Sequence, residues 1–309
     1  MKQLRLVACA MKNEAPYIVE WVAYNRVIGF DHIVIGSNDS SDGTDAILAA
    51  LADNEIIYHV ANKVNSDEAP QHAFYEKLRK LDVFKNVEWL AIIDADEFIN
   101  IHVGQGCLDD LIHAASGADI IQLNWAVFGD NGHKFFTDVP VIERFTKRIA
   151  EKNRINAGCK CLTRQPQRFE KLRNHNPAVY LGSEALSVFS GGGELRSYSP
   201  NINLTEELQY TEAENVNFKI AQINHYAIKS SQEYTFRQIR GNGALPASRI
   251  SRQRYDDKYF SLRSRAAVDD ISILRHEGNL RREIERLIDL PAVGEAVRRA
   301  LAVWKGRSE

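Results

Sequence analysis

The stretch WLAIIDADEFIN, residues 89–100, joins an apolar run to a group of carboxylates. Residues 90–93 are all apolar, which is typical of a short buried strand. Asp94, Asp96 and Glu97 follow at once. Buried carboxylates are unfavourable unless they are paired or bind a cation. A strand that ends in this way therefore predicts a functional site at its carboxyl end.

The composition is typical of a soluble globular protein. The chain has 309 residues, of which 44% are hydrophobic and 26% charged, with a net charge of -2. This balance gives no bias toward nucleic acid or acidic lipid. No apolar run reaches the roughly 18 to 20 residues of a membrane span, and the N-terminal apolar patch is interpreted as a strand, not a secretory signal. The cysteine spacing shows neither a disulfide framework nor a metal site, so we expect a cytoplasmic protein.

The first half of the chain alternates between strand and helix patterns. Strands are predicted at residues 4–11, 32–37, 55–60, 90–93 and 119–129, with helices at 13–29, 45–51, 73–81 and 108–115. Asn13 and Thr44 are predicted to cap the first two helices. Further on, residues 158–164 read as a strand, residues 128–136 and 189–199 as loops, and Ser230 with Glu233 as a capping box. This order predicts an α/β fold with a mostly parallel sheet covered by helices.

Polar clusters follow the first, second and fourth predicted strands, at residues 12–14, 37–44 and 94–97. Ligands bind at the carboxyl ends of parallel strands, so we expect these clusters to meet at one edge of the sheet. Two carboxylates in a D-x-D pattern on a continuing strand would share a face and suit Mg²⁺ or Mn²⁺. A D-x-D pattern alone is a weak signal, since it is also found in solvated turns and helix caps.

Four segments carry a resemblance to a known family: residues 12–44, IIDADEFI (92–99), NWAVFG (124–129) and INHYAIKSSQEYTFRQIRG (223–241). Together, over about residues 4–243, they resemble the glycosyltransferase family 2-like proteins, close to the family 92 and related bacterial branch. The resemblance implies a GT-A fold, a Mn²⁺ or Mg²⁺ cofactor, a nucleotide-diphosphate sugar donor, and inversion at the anomeric carbon. It also implies a glycan or lipid-linked acceptor and a role in polysaccharide or surface-glycan synthesis.

The resemblance also implies roles for individual residues. The implied nucleotide-binding residues are Lys12, Asn13, Glu14, Asp39, Asp94 and Lys229, and the implied metal ligands are Asp94, Asp96 and His225. Asp96 is expected to be the direct ligand and a catalytic residue, and Arg237, Arg240 and Gly241 belong to the matching helical segment. Asn25 stands where the family often has histidine. His225 could instead be a core histidine, and Asp39 a simple turn residue.

The base that would accept the proton of the acceptor hydroxyl is not identified firmly by the sequence. Glu143 is the first choice, with Glu184 and Asp130 as alternatives. His175 could cap a turn or line the acceptor pocket, and Trp125 and Phe128 could belong to the core or the pocket wall. Two other functional classes stay open: a metal-dependent nucleotidyltransferase or phosphohydrolase, and a non-catalytic nucleotide-sugar binder. The sequence has no glycine-rich P-loop, which weighs against nucleotide hydrolysis of that kind.

The C-terminal part of the chain is helical and charged by pattern. We expect a transferase domain at residues 1–245 and a helical C-terminal extension at 246–309 that packs on it and supports the fold. The arginine-rich face of this extension is interpreted as solvated, because acidic residues interrupt it. The alternative is peripheral contact with the inner face of an anionic membrane. No transmembrane segment and no nucleic-acid partner are expected.

Overall fold

The computed structural model describes residues 3–240 and 255–306. Its strands are β1 (Arg5–Met11), β2 (His32–Ser37), β3 (Tyr58–Ala61), β4 (Trp89–Ile92), β5 (Glu97–Ile101), β6 (Ile120–Val127), β7 (Lys147–Arg148), β8 (Cys159–Arg164), β9 (Phe169–Leu172), β10 (Pro177–Tyr180), β11 (Leu186–Ser190), β12 (Leu195–Tyr198), β13 (Ala221–His225) and β14 (Val268–Asp269). The α-helices are α1 (Ile18–Ile28), α2 (Thr44–Asp53), α3 (Pro70–Leu78), α4 (Asp82–Lys85), α5 (Leu108–Ala114), α6 (Val141–Arg144), α7 (Leu204–Leu208), α8 (Ser231–Arg240), α9 (Asp257–Arg263), α10 (Glu277–Ile288) and α11 (Pro291–Gly306).

The central sheet has the strand order β12-β11-β6-β8-β4-β1-β2-β3. Strands β4, β1, β2 and β3 run parallel to one another, whereas β8 is antiparallel to both β4 and β6. Strand β13 lies parallel to β6 and antiparallel to β5. The α/β fold with a mostly parallel sheet, flanking helices and a helical C-terminus is thus confirmed.

Side-chain alternation along β1 divides the core into two layers. Val7 and Cys9 pack in the same apolar cluster as helices α1 and α2, while Leu6 and Ala8 pack with Phe74 and the rest of α3 on the opposite face. A Cβ atom at Gly36 in β2 would lie only 2.3 Å from the Phe74 ring, so this glycine allows α3 to approach the sheet closely. Both faces of the strands are therefore covered, as expected for parallel strands.

The C-terminal helices complete the core beside α1 and α2. Helix α10 packs against α1 and α11 packs against α2. Leu280, Leu287, Val293 and Ala300 belong to the same buried cluster as the residues of α1. The predicted boundary between residues 245 and 246 lies outside the described residues, and the division into two domains stays a prediction. Within residues 3–240 and 255–306, none of the helices has the length and apolar character that crossing a bilayer requires.

Several predicted element boundaries were wrong. Helix α1 begins at Ile18, with Tyr17 at the N-cap, because Asn13 adopts a left-handed conformation (φ 52°) in a loop that precedes the helix. Thr44 is the first residue of α2 and not its cap. The predicted loop at 189–199 contains the turn of a hairpin, since Gly193 (φ 96°) lets β11 and β12 pair. The capping box of Ser230 and Glu233 is confirmed, with reciprocal hydrogen bonds at 3.1 and 3.3 Å.

Candidate active site

The acidic cluster lies in a turn between β4 and β5, not on a continuing strand as predicted. The Asp94 amide donates to Glu97 Oε2 (2.8 Å), and the Glu97 amide donates to the Asp94 carbonyl oxygen (3.0 Å). Trp21 Nε1 also donates to the Asp94 carbonyl oxygen (3.2 Å). Because the chain turns here, the carboxylates of Asp94 and Asp96 do not share a face and have separate partners.

The carboxylate of Asp94 is held by a buried lysine that the sequence interpretation missed. Lys160 Nζ lies 3.1 Å from Asp94 Oδ2 and 3.2 Å from Glu97 Oε2, and it donates to the Asn174 carbonyl oxygen (2.6 Å). Burial acts to lower the pKa of Lys160, but the two carboxylates outweigh this effect and hold it above its usual value. Gln71 Nε2 donates to the other oxygen of Asp94 (3.1 Å). Both oxygens of Asp94 therefore accept hydrogen bonds from the protein.

Asp96 lies among cationic side chains at the carboxyl end of β13. Its carboxylate contacts the Arg237 guanidinium, and its Oδ2 atom lies 3.6 Å from His225 Nε2. Burial acts to raise the pKa of Asp96, but Arg237, His225 and Lys229 together hold it well below its usual value. Asp96 is therefore ionised at neutral pH.

His225 is the last residue of β13 and pairs with Glu97 of β5 and Val127 of β6. This pairing brings it to the acidic turn, although it lies about 130 positions further along the chain. Burial lowers the pKa of the His225 imidazole, which favours the neutral ring. Its Nδ1 atom has no hydrogen-bond partner within the described part of the chain.

A cavity of about 310 Å³ lies beside this cluster. Its lining residues come from the β1–α1 loop, the β2–α2 loop, the turn before α8, α8 itself and α11: Asn13, Glu14, Tyr17, Ser41, Asp42, Ala227, Ile228, Lys229, Glu233, Phe236, Arg237, Ile239 and Trp304. The structure thus brings three of the six predicted nucleotide-binding residues, Asn13, Glu14 and Lys229, to one cavity.

The first two polar clusters are tied to each other across the sheet edge. The Ser41 amide donates to Asn13 Oδ1 (2.7 Å), and the Ala15 amide donates to Asp42 Oδ2 (3.0 Å). Trp304 Nε1 donates to the same oxygen of Asp42 (3.4 Å). The two loops therefore form one wall, and the C-terminal helix contributes Trp304 to the lining of the cavity.

Lys229 is a buried cation inside this cavity. Only 6% of the residue is exposed, and its Nζ atom lies 4.2 Å from the centre of the Tyr17 ring. Among residues 3–240 and 255–306, no carboxylate forms an ion pair with it. Burial lowers the pKa of Lys229 to about 8, while Asp96 acts in the opposite direction. An ammonium group in such a place is favoured by an anionic ligand.

A buried ion pair lies next to Tyr17 at the cavity wall. Arg144 donates hydrogen bonds from Nη1 and Nη2 to the Glu233 carboxylate (2.9 and 3.0 Å). The Tyr17 hydroxyl donates to Glu233 Oε1 (2.8 Å). Arg144 and the Ser230 capping box together hold the pKa of Glu233 below its usual value, although burial raises it. These contacts fix the turn that carries Lys229.

The other predicted residues are placed less favourably. Asp39 lies in an exposed turn (φ 44°) and accepts from Asn38, and neither Asp39 nor Lys12 lines the cavity. Glu143 forms an ion pair with Arg281 of α10 and does not line the cavity, so this geometry does not favour it as a base. Glu184 lies in an exposed loop near the Tyr180 hydroxyl (3.4 Å), and Phe128 belongs to the core. Gly241 lies outside the described residues.

The donor set fits a divalent ion only if the substrate completes its shell. Among the described residues, no group of three or more His, Cys, Asp and Glu side chains could hold a metal ion. Asp96 and His225 nevertheless form a carboxylate–imidazole pair. Mg²⁺ is usually bound by one or two carboxylates with waters and substrate phosphates as the remaining ligands. The pair fits an ion of that kind, and Asp96 is the better placed of the two aspartates.

Solved structures similar to this chain include S. aureus TarS. Residues 1–349 of that protein match at 18% identity over 53% of this chain and 47% of that chain, with a TM-score of 0.34. The same part of TarS in complex with UDP matches at 16% identity over the same shares, again with a TM-score of 0.34. These scores are too low to compare the folds or their ligand sites.

Curated relatives come from plants. A glycosyltransferase family 92 protein of Ricinus communis is 29% identical over 154 residues, which is 48% of this chain and 27% of that protein. A second, from Oryza sativa subsp. japonica, is 27% identical over 150 residues, 48% of this chain and 25% of that protein. The match spans about a quarter of the length of each relative.

The sequence profile of glycosyltransferase family 92 matches residues 6–251, which include the acidic turn, His225, Lys229 and the loops that follow β1 and β2. The resemblance drawn from the sequence motifs is thereby confirmed, and the match covers far more than half of the chain. This chain belongs to glycosyltransferase family 92.

Proposed function

We propose that this protein transfers a sugar from a nucleotide-diphosphate sugar to an acceptor hydroxyl group. The observation that carries the proposal is the buried Lys229 ammonium, which has no carboxylate ion-pair partner among the described residues. It lies in a cavity bounded by the loops that follow β1 and β2 and is electrostatically coupled to Asp96. A diphosphate would supply the anion that this site lacks.

The residues around the cavity divide into two groups in this proposal. Lys229 and Arg237 stabilise the negative charge of the diphosphate, and Arg237 is in turn oriented by Asp96. Asn13 and Ser41 form the wall on the side of β1 and β2, where the nucleoside part would lie. The carboxyl ends of parallel strands are the usual place for such a ligand.

Asp96 and His225 are the residues that would hold Mn²⁺ or Mg²⁺. When bound, such an ion neutralises part of the charge that develops on the leaving diphosphate. The neutral state of His225 and the ionised state of Asp96 are the protonation states that a metal ligand requires. Asp94 contributes indirectly in this proposal, because Lys160 and Gln71 hold its carboxylate.

Attack of the acceptor hydroxyl on the face opposite the diphosphate would invert the anomeric carbon. The proposal includes this stereochemistry and a role in polysaccharide or surface-glycan synthesis, both from the family resemblance. The attacking hydroxyl requires a proton acceptor. Glu143 is not proposed for this role, because it forms an ion pair with Arg281.

The proposal is tested by nucleotide binding and by product analysis. Lys229→Met should weaken binding of UDP or GDP at least tenfold, because it removes the buried cation. Lys219→Met is the matched control, since Lys219 is exposed and does not line this cavity. Wild-type protein with nucleotide sugars and Mn²⁺ should release nucleoside diphosphate and not sugar 1-phosphate. Equal nucleotide affinity of the two variants would refute the site, and release of sugar 1-phosphate would indicate nucleotidyl transfer or hydrolysis at the diphosphate.

A further inference from the structure

Four aromatic rings form a continuous row from the acidic turn to the surface. We call His225, Trp125, His175 and Tyr210 the aromatic row. The ring centres of His225 and Trp125 are 4.6 Å apart, those of Trp125 and His175 are 5.4 Å apart, and those of His175 and Tyr210 are 6.2 Å apart. The first ring is next to Asp96, and the last belongs to a residue that is 55% exposed.

Hydrogen bonds hold the two middle rings of the aromatic row, and a β-bridge holds the backbone of Tyr210. Trp125 Nε1 donates to Glu97 Oε1 (2.7 Å), and a Cβ atom at Gly158 would lie 2.2 Å from the indole, so the ring packs directly on this glycine. His175 Nδ1 donates to the Cys159 carbonyl oxygen (2.8 Å). Tyr210 is joined to Gly158 by a β-bridge. Little conformational freedom would be lost when a ligand packs on rings fixed in this way.

The aromatic row lies on the opposite side of the acidic turn from the donor loops. In the sheet, β4 delivers the acidic turn, with β1 and β2 on one side and β8 and β6 on the other. Asn13 and Ser41 follow β1 and β2, whereas Trp125 lies on β6 and Gly158 directly precedes β8. A donor between the β1 and β2 loops and a ligand on the aromatic row would therefore approach Asp96 from opposite sides.

Aromatic rings with polar neighbours suit a carbohydrate. One face of a sugar ring presents C–H groups that pack against an aromatic ring, while its hydroxyl groups bind polar atoms at the ring edge. Single exposed tyrosines are common on protein surfaces. Tyr210, however, is the outer end of a row of rings that begins beside Asp96. The row extends beyond one ring, which matches an extended ligand better than a small alcohol.

We infer that the aromatic row is the acceptor-binding subsite and that the acceptor is a glycan whose sugar rings pack on Trp125, His175 and Tyr210. The inference rests on the proposed function, since it names the acceptor of that reaction. The hydroxyl to be glycosylated would lie at the inner end of the row, beside His225 and Asp96.

Tryptophan fluorescence offers a direct test. The chain has four tryptophans, and Trp21, Trp89 and Trp304 are at most 4% exposed, whereas Trp125 is partly exposed. Cello-, manno-, galacto- and malto-oligosaccharides should be titrated into the metal-free protein without nucleotide. At least one of them should change the tryptophan emission in a saturable way. No response to any of the four would overturn the inference.

Substitutions of Tyr210 then locate the response. Tyr210→Ala should weaken binding of the responding oligosaccharide at least tenfold, and Tyr210→Phe should restore most of it because the ring is kept. Tyr58→Ala is the matched control, since Tyr58 is a 46% exposed tyrosine on β3 at the far edge of the sheet. Wild-type oligosaccharide affinity in Tyr210→Ala would overturn the inference. Displacement of the bound oligosaccharide by UDP or GDP would overturn it as well, because the nucleotide would then occupy the aromatic row.

The two proposals fail separately in these measurements. Oligosaccharide binding needs neither donor nor metal ion, whereas nucleotide binding is followed through Lys229. Oligosaccharide binding without any nucleoside diphosphate binding would refute the proposed function and leave a carbohydrate-binding surface. Nucleotide binding with an unresponsive aromatic row would refute only the acceptor subsite. In the active enzyme, Tyr210→Ala should raise the acceptor KM at least tenfold and leave the donor KM close to that of wild type.

Discussion

At the scale of single residues, two buried lysines differ in whether the protein places carboxylates beside them. Lys160 is fully buried but has two carboxylates within 3.2 Å, and its pKa lies above the usual value. Lys229 is equally buried without a carboxylate ion-pair partner in the described part of the chain, and burial lowers its pKa to about 8. The first lysine therefore neutralises the protein's own charge, and the second is left to bind the charge of a ligand.

Replacement of Lys160 by methionine should destabilise the folded protein. The buried Glu97 and the partly exposed Asp94 would lose their counter-ion. Loss of one partner of a buried ion pair typically costs about 3 to 5 kcal/mol. The free energy of unfolding in urea measures the change. Lys171→Met is the control, because Lys171 is exposed and its ion pair with Glu170 is a surface contact. Equal unfolding free energies for the two variants would show that Lys160 does not have this role.

The affinity for nucleoside diphosphate should fall as the pH rises above about 8. Folded Lys229 loses its proton near this pH because burial lowers its pKa. Arg237 and Arg144 also lower the pKa, whereas Asp96 and Glu233 raise it. The phosphate groups are already ionised there, since their second pKa is about 6. The affinity should then decrease by at most about tenfold per pH unit. Calorimetry between pH 7 and 9.5 measures this, and Lys229→Arg should flatten the profile because arginine stays charged. A flat wild-type profile would exclude Lys229 as the phosphate ligand.

The lowered pKa of Lys229 also makes the stability of the folded protein depend on pH. The unfolded chain binds a proton at Lys229 up to the usual lysine pKa, whereas the folded chain releases it near pH 8. Between these two values the unfolded state binds more protons, so the contribution of Lys229 to folding stability becomes more favourable as the pH rises. Ligand affinity and folding stability therefore change in opposite directions over this pH range.

At the scale of elements, local sequence patterns predicted where the strands and helices lie better than how the strands pair with one another. The apolar runs of β1, β2, β4 and β6 and the Ser230 capping box were all visible in the sequence. The pairing of β8 between β4 and β6 was not, because it joins β8 to residues about 70 positions earlier in β4 and about 40 positions earlier in β6. That pairing places Lys160 under the acidic turn. The lysine between two cysteines in the stretch GCKCLTR was the only local sign of it.

The sequence pattern of the C-terminal helix α11 predicted a helix with a charged, solvated face. Trp304 packs against Phe236, Phe136 and Tyr17 with ring centres 4.6, 5.6 and 6.1 Å away. No local pattern identifies Asp42, which lies 262 positions earlier, as its hydrogen-bond partner. The part of a site that depends on such distant contacts requires the folded chain.

Removal of the Trp304 side chain should affect both stability and the cavity. Trp304→Ala should lower the free energy of unfolding by about 3 to 5 kcal/mol, as for other buried tryptophans, and should weaken nucleotide binding because one cavity wall is lost. Val303→Ala is the matched control on the same helix, since Val303 is 46% exposed. Chemical denaturation and nucleotide calorimetry on both variants give the two values. A Trp304→Ala protein with wild-type nucleotide affinity would show that α11 supports only the fold.

At the scale of the whole molecule, the sheet places different chemistry on either side of β4. The loops after β1 and β2 and the cation Lys229 lie on one side of Asp96. The aromatic row lies on the other side, and its inner end, His225, is next to Asp96. The family match at residues 6–251 covers both sides, while Trp304 comes from beyond it. A reaction between two bound substrates at Asp96 is consistent with this division.

The most direct test of this account is sugar transfer by Asp96→Asn in the presence of Mn²⁺ or Mg²⁺. The substitution keeps the shape of the side chain but removes the charge that orients Arg237 and that would hold the ion. Release of nucleoside diphosphate from the donor sugar that wild-type protein uses should fall at least about a hundredfold, equivalent to about 2.7 kcal/mol of transition-state stabilisation. EDTA should abolish wild-type turnover, and added Mn²⁺ or Mg²⁺ should restore it. A folded Asp96→Asn protein that transfers sugar at the wild-type rate, or wild-type turnover that is unaffected by EDTA, would contradict the metal-dependent mechanism proposed for this site.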